Sequence, residues 1–105
     1  MKECNARIAT TRLGKEDHGI PTCEVRLEFD GASQSFGGYD LRGRPDFPLQ
    51  ILEALQVETW EELPGKYCRI RQTHDRIHAI GHIIEDRWFN PVEFYSATKA
   101  KTNHG

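Results

Sequence analysis

Seven residues of strict alternation, Glu24-Val25-Arg26-Leu27-Glu28-Phe29-Asp30, set the tightest limit on how this chain folds. Charged and apolar side chains change places at every step, and an extended strand, whose side chains point to opposite faces in turn, sorts such a run cleanly. Val25, Leu27 and Phe29 then face a core while Glu24, Arg26, Glu28 and Asp30 face water. A parallel strand covered on both faces would be apolar throughout, so the pattern predicts an antiparallel sheet with one wet face. Asp30-Gly31 is a strong turn dipeptide and returns the chain as a second strand over Ser33–Leu41.

That second strand carries Gly37-Gly38 in its middle. Paired glycines inside a strand mark a bulge, a sharp coil of the sheet or a close backbone approach. A bulge here predicts that Phe36 and Tyr39 share a face despite their odd spacing. Arg42-Gly43-Arg44-Pro45 breaks the strand, and Asp46 reads as an N-cap with Pro48 in the first helical turn. The helix, Phe47–Val57, carries Ile51, Leu52 and Leu55 at helical spacing, widened by Leu49, Ala54 and Val57. Its apolar stripe is expected against Val25, Leu27 and Phe29.

Elsewhere the patterns are shorter. Asn5–Leu13 is rich in Thr and Ile without a helical period and reads as a strand, followed by a polar loop from Gly14 to Gly19. Thr59-Trp60-Glu61-Glu62 fits a capping box for a short helical turn ended by Pro64-Gly65, with Trp60 and Leu63 plugging the core edge. Lys66–Gln72 places Cys68 and Ile70 on one face and Tyr67, Arg69 and Arg71 on the other. Thr73–Arg76 reads as a hairpin loop, and Ile77–Ile84 as a strand with Ile77, Ala79, Gly81 and Ile83 opposite His78, Ile80, His82 and Ile84. Glu85–Tyr95 is an aromatic-rich closing segment, and from about Ser96 the chain is polar and expected to be loose. The expectation is one α+β domain over residues 1–105, an antiparallel sheet of about five strands on one main helix, in the order β-β-β-α-β-β.

A chain of 105 residues holds one core, not two. No apolar run approaches the roughly 20 residues that cross a bilayer, so no membrane partner is expected. Met1–Asn5 has no apolar region after its lysine, which argues against a secretory signal. Three widely spaced cysteines, Cys4, Cys23 and Cys68, read as reduced thiols of a cytoplasmic protein, two near the surface and one buried. With His18 and His74 they lack the paired spacings of structural zinc. His74, His78 and His82 recur every fourth residue, but on a strand His78 and His82 stand about 13 Å apart, too far to share an ion. A net charge of −2 is too small for a polyanionic mimic and has the wrong sign for a general nucleic-acid binder.

No nucleophile elbow, phosphate-binding loop, H-E-x-x-H or dinucleotide fingerprint is present, and the carboxylates alternate along a wet sheet face. The chain therefore reads as a non-enzyme without metal or cofactor. Its candidate contact residues are Phe36, Tyr39, Asp40, Arg42 and Arg44, among which tyrosine and arginine are types that concentrate at interface hot spots. Trp88 is a further candidate and reads either as a lid over the core or as an exposed anchor. The alternative is a nucleotide or nucleic-acid-binding domain that uses the same arginines and aromatics, extended by Tyr67, Arg69 and Arg71. A free edge, left by the first or last strand, would permit a homodimer by sheet extension.

Three motifs, S-x-S-F-G-G-Y-D-L from Ser33, T-W-E-E-L-P-G-K-Y from Thr59 and A-I-G-H-I-I-E-D-R-W-F-N-P from Ala79, carry a resemblance. From about Ala6 to Phe94 the chain resembles a family of small uncharacterised proteins of tailed bacteriophages and prophages. The resemblance supplies no catalytic residues. It implies an accessory protein at work in a bacterial host cytoplasm, where small single-domain proteins often antagonise host defence, as anti-CRISPR proteins do. The partner implied is a host protein or nucleoprotein complex.

Overall fold

The computed structural model describes the backbone of residues 1–102 and the side chains of residues 1–96. The order is β1 (Lys2–Lys15), β2 (Pro21–Phe29), β3 (Ala32–Asp40), α1 (Phe47–Leu55), a 3-10 turn (Trp60–Glu62), β4 (Tyr67–Thr73), β5 (Arg76–Gly81), β6 (Trp88–Phe89) and α2 (Pro91–Thr102). All six strands join one antiparallel sheet in the order β3-β2-β1-β4-β5-β6. The α+β class stands, but the sheet has six strands where about five were expected, and a second helix follows it. The sixth strand is two residues long, pairing Phe89 with Ile80 and Trp88 with Gly81, too short to leave a periodic trace. The expected loose tail from about residue 96 falls partly outside the described residues; α2 itself runs on to Thr102.

β1 is the spine. Its first half, Lys2–Arg7, pairs with β4, and its second half, from Arg7 to Lys15, pairs with β2, with an irregularity between Ile8 and Thr10 where it changes partners. The first strand is therefore central, and the edges of the sheet are β3 and β6. Sheet twist and this bend curl the sheet strongly. As a result Phe36 on one edge meets Phe89 on the other across the interior, ring centroids 6.2 Å apart.

The alternation in β2 behaves as read: Val25 and Leu27 are fully buried and Phe29 nearly so. Asp30 and Gly31 both take positive φ, 51° and 73°, which a two-residue hairpin needs to match the strand twist. Between β2 and β3, Glu24 pairs with Gly37 and Cys23 with Tyr39, so Gly38 is the extra residue of a bulge. The bulge brings Phe36 and Tyr39 to the same side, where their rings lie 5.7 and 5.2 Å from that of Phe47. Each large side chain buried in this layer contributes about 1.5–3 kcal/mol.

α1 packs through Phe47, Ile51, Ala54 and Leu55. It is shorter than its apolar pattern: Gln56 turns left-handed (φ 56°), and Val57 donates back to the Leu52 carbonyl, closing the helix. Leu49, expected on the buried stripe, is 62% exposed, because the inward face of α1 is set by Phe47, Ile51, Ala54 and Leu55. The Thr59–Glu62 capping box forms as read, and Leu63 is fully buried beneath it.

β5 departs from simple alternation. Arg71 pairs with Ala79 and Gln72 with Ile77, so His78 is bulged out of register. That extra residue puts Ile77 and Ile80 together in the core, where strict alternation would set them on opposite faces. The strand ends at Gly81, and His82–Ile84 leave the sheet. Cys23 and Cys68 are both buried and Cys4 is partly so, which corrects the expected two surface thiols and one buried. No helix among the described residues is long and apolar enough to cross a membrane.

Candidate binding surface

The connection from β3 to α1 is built of successive tight turns. Gly43 donates to the Asp40 carbonyl, Arg44 to that of Leu41 and Phe47 to that of Arg44, while Leu41 donates to Pro21 of β2 and ties the segment to the sheet. Asp40 and Arg42 form a two-pronged ion pair: Arg42 Nη2 lies 2.8 Å from Oδ2 and Nε 3.1 Å from Oδ1, and the Arg42 backbone N–H adds a third bond at 2.9 Å. These hydrogen bonds from Arg42 hold the Asp40 carboxyl below its usual range.

Arg44 is fixed differently. Its guanidinium lies 4.3 Å over the Tyr39 ring and 5.0 Å over the Tyr95 ring, and so bridges β3 and α2. Arginine on an aromatic face is drawn to the ring quadrupole, and more so where water is partly excluded. The Tyr95 hydroxyl donates to Asp46 Oδ1 at 2.9 Å. Burial, then the bond to Asp46, raises the Tyr95 pKa. Asp46 stands at the N-cap position but makes no side-chain cap bond; its carboxylate accepts from Tyr95, which corrects the capping role read from sequence.

The six sequence candidates thus divide. Tyr39 and Arg44 come together with two residues the sequence reading missed, Tyr95 and Asp46. Asp40 and Arg42 pair beside them on the same connection. Phe36 is 2% exposed and belongs to the core, so it offers no contact surface. Trp88 lies on the wet face of the sheet. Its ring covers Gly81, with the Arg71 guanidinium at 3.9 Å and that of Arg69 at 5.0 Å. It is half-buried by those arginines and is neither a core lid nor a free anchor. Arg69 is itself held by Glu3 at 2.9 Å and by the carbonyls of His82 and Glu85, both at 2.8 Å.

No local pattern announces the Asp46–Tyr95 pair, because its members lie 49 residues apart, one just before α1 and the other on α2. The histidines are engaged separately: His78 Nε2 lies 2.8 Å from Thr73 Oγ1, and His82 Nδ1 accepts the backbone N–H groups of Ile84 and Glu85. Burial pushes the Cys23 and Cys68 thiols up to about 12, so neither is a reactive thiolate at neutral pH. Comparison of the chain with protein-family models, with curated proteins and with solved structures finds no match.

Proposed function

We propose that this chain is a non-enzymatic binding protein that acts by covering a surface of a partner protein, through Tyr39, Asp40, Arg42 and Arg44. The observation that carries this reading is the clamping of Arg44 between Tyr39 and Tyr95, beside the two-pronged Asp40–Arg42 pair. Arginine and tyrosine concentrate at interface hot spots, and side chains already fixed in the free protein lose little entropy on binding. The cluster carries its own carboxylates, Asp40 and Asp46, which suits a mixed-charge protein surface better than a polyanion. The phage setting, and a host defence protein as the partner, rest on the sequence resemblance alone.

The test is a tagged pull-down from phage-infected bacterial cells, read by mass spectrometry, with wild type and Arg44→Ala side by side. A partner held by wild type and lost by the variant supports the reading. A monodisperse wild-type protein that holds nothing sinks it.

A second reading is favoured by one observation, the stacking of Arg71 on Trp88, on the same wet face of β4 that carries the exposed Tyr67 at its start. Single-stranded nucleic acid bound there would lose affinity steeply with added salt, whereas a protein partner held at Arg44 would not. A homodimer by sheet extension would use the edge strand β3.

A further inference from the structure

Arg44 differs from the other arginines of the chain in one respect. All nine lie among the described residues, and each of the other eight donates a hydrogen bond within the chain or pairs with one of its carboxylates. Arg44 does neither among the described residues. Its guanidinium is held instead by the rings of Tyr39 and Tyr95, at 4.3 and 5.0 Å. A ring attracts the charge of a guanidinium but offers its five N–H donors no lone pair. The result is a cation fixed in place with its hydrogen-bonding capacity unused.

No carboxylate side chain of the chain takes up those donors. All 16 Asp and Glu fall within the described residues, and none lies within ion-pair distance of Arg44. Two acids of the same connection are engaged elsewhere: Asp40 by Arg42 at 2.8 Å, and Asp46 by the Tyr95 hydroxyl at 2.9 Å. Arg44 is also partly buried, neither sealed in the core nor fully open to water. A fully exposed ion pair is worth little, because water and salt screen it, and a partly desolvated one is screened less.

Charge and shape then select the anion. Asp40 and Asp46 flank Arg44 in the chain, so a dianion such as a phosphate ester would be repelled by both. A carboxylate carries the one charge that a single guanidinium balances, and its two oxygens match the guanidinium fork. We propose, resting on the partner-surface reading above, that the group seated on Arg44 is the carboxylate of an aspartate or glutamate side chain of the partner protein, taken bidentately by the guanidinium that Tyr39 and Tyr95 hold. The rings orient that guanidinium before the partner arrives, so the pair forms without first immobilising a long side chain.

The experiment follows the Arg44 Nε–H resonance of the full chain by NMR while blocked pentapeptides are added at matched ionic strength. Each has glycine at four positions and glutamate, glutamine or phosphoserine at the centre. The glutamate peptide is expected to shift the resonance saturably, half-way at roughly 10–100 mM, the affinity of one charged hydrogen-bonded pair. The glutamine peptide should leave it unmoved, and the phosphoserine peptide should bind more weakly than glutamate. Arg44→Lys keeps the charge and loses the fork, and is expected to abolish the response to glutamate at the backbone amides of Leu41 and Gly43. The proposal is overturned if glutamine acts as glutamate does, if phosphoserine binds more tightly, or if Arg42 and Arg69 respond as strongly as Arg44. It is equally overturned if the lysine variant binds as well as wild type. Each of these results can stand beside a pull-down that recovers a partner, so the carboxylate can fail while the partner surface holds; a pull-down that recovers nothing removes both.

Discussion

Gly37 and Gly38 are adjacent, both have positive φ, and a substitution at each should fail for different reasons. Gly37 has φ 114°, and a Cβ built there would lie 2.6 Å from the Cys23 carbonyl oxygen, 3.1 Å from Glu24 Cα and 3.2 Å from Phe47 Cε1. Gly38 has φ 82° and meets nothing within 4 Å. Gly38→Ala therefore bears only the cost of a left-handed backbone, about 1–2 kcal/mol. Gly37→Ala bears about 1–3 kcal/mol of backbone strain and a further 1–3 kcal/mol of overpacking against groups that are mostly backbone. Urea unfolding followed by tryptophan fluorescence separates the two. With a slope of about 1.5 kcal/mol per molar, the Gly37→Ala midpoint should fall about 1–2 M below that of Gly38→Ala at unchanged slope. Equal midpoints, or a larger loss at Gly38, would refute the reasoning that β3 is pinned by contact between its backbone, β2 and Phe47.

Three other outcomes follow from the same geometry. The Cys23 and Cys68 pKa values, pushed by burial from 9.0 to about 12, lie above their unfolded values. The unfolded chain then loses its thiol protons first, so stability is complete below about pH 9 and falls as pH rises toward 12, with Tyr95 adding in the same direction; unfolding midpoints that stay flat from pH 8 to pH 11 would contradict this. A thiol reagent at neutral pH should label Cys4 in the folded protein and reach Cys23 and Cys68 only on unfolding, and labelling of all three under native conditions would count against their burial. Gly81→Ala would place a Cβ 2.6 Å from the Trp88 ring, so in a Trp60→Phe background the remaining tryptophan emission should shift and stability fall by about 1–3 kcal/mol, whereas an unchanged spectrum would show that the ring does not lie over Gly81.

What could be read from the chain was whatever local chemistry decides. The alternation at Glu24–Asp30, the Asp30-Gly31 turn and the bulge that aligns Phe36 with Tyr39 all rest on neighbours in sequence, and each is present. The capping box at Thr59 and the inward set of Cys68 and Ile70 belong with them. The failures sit where distant groups decide. Nothing near Asp46 tells that its carboxylate will accept the Tyr95 hydroxyl instead of capping α1. Nothing near His78 shows that a bulge will turn Ile77 and Ile80 to one side, because histidine and isoleucine suit either register. Gln34 carries no mark of an interior position in its own polar type; its pairing with Leu27 sets it on the inward face. Tyr95, the one residue that α2 brings to the candidate surface, stands 49 residues from its partner Asp46 and leaves no local mark either.

The division of β1 between two partners has a consequence in time. The β1–β2–β3 meander is contiguous in sequence and can assemble as soon as it leaves the ribosome, but Lys2–Ala6 has no strand neighbour until Cys68–Gln72 has been made. During synthesis the chain's first segment is thus an unpaired ribbon of backbone donors and acceptors, kept waiting through the production of α1 and the turn that follows. Its closure onto β4 joins the most distant stretches of the chain, the kind of pairing that sets folding speed. Until then that ribbon is open to any other strand that offers itself, including one from a neighbouring nascent chain.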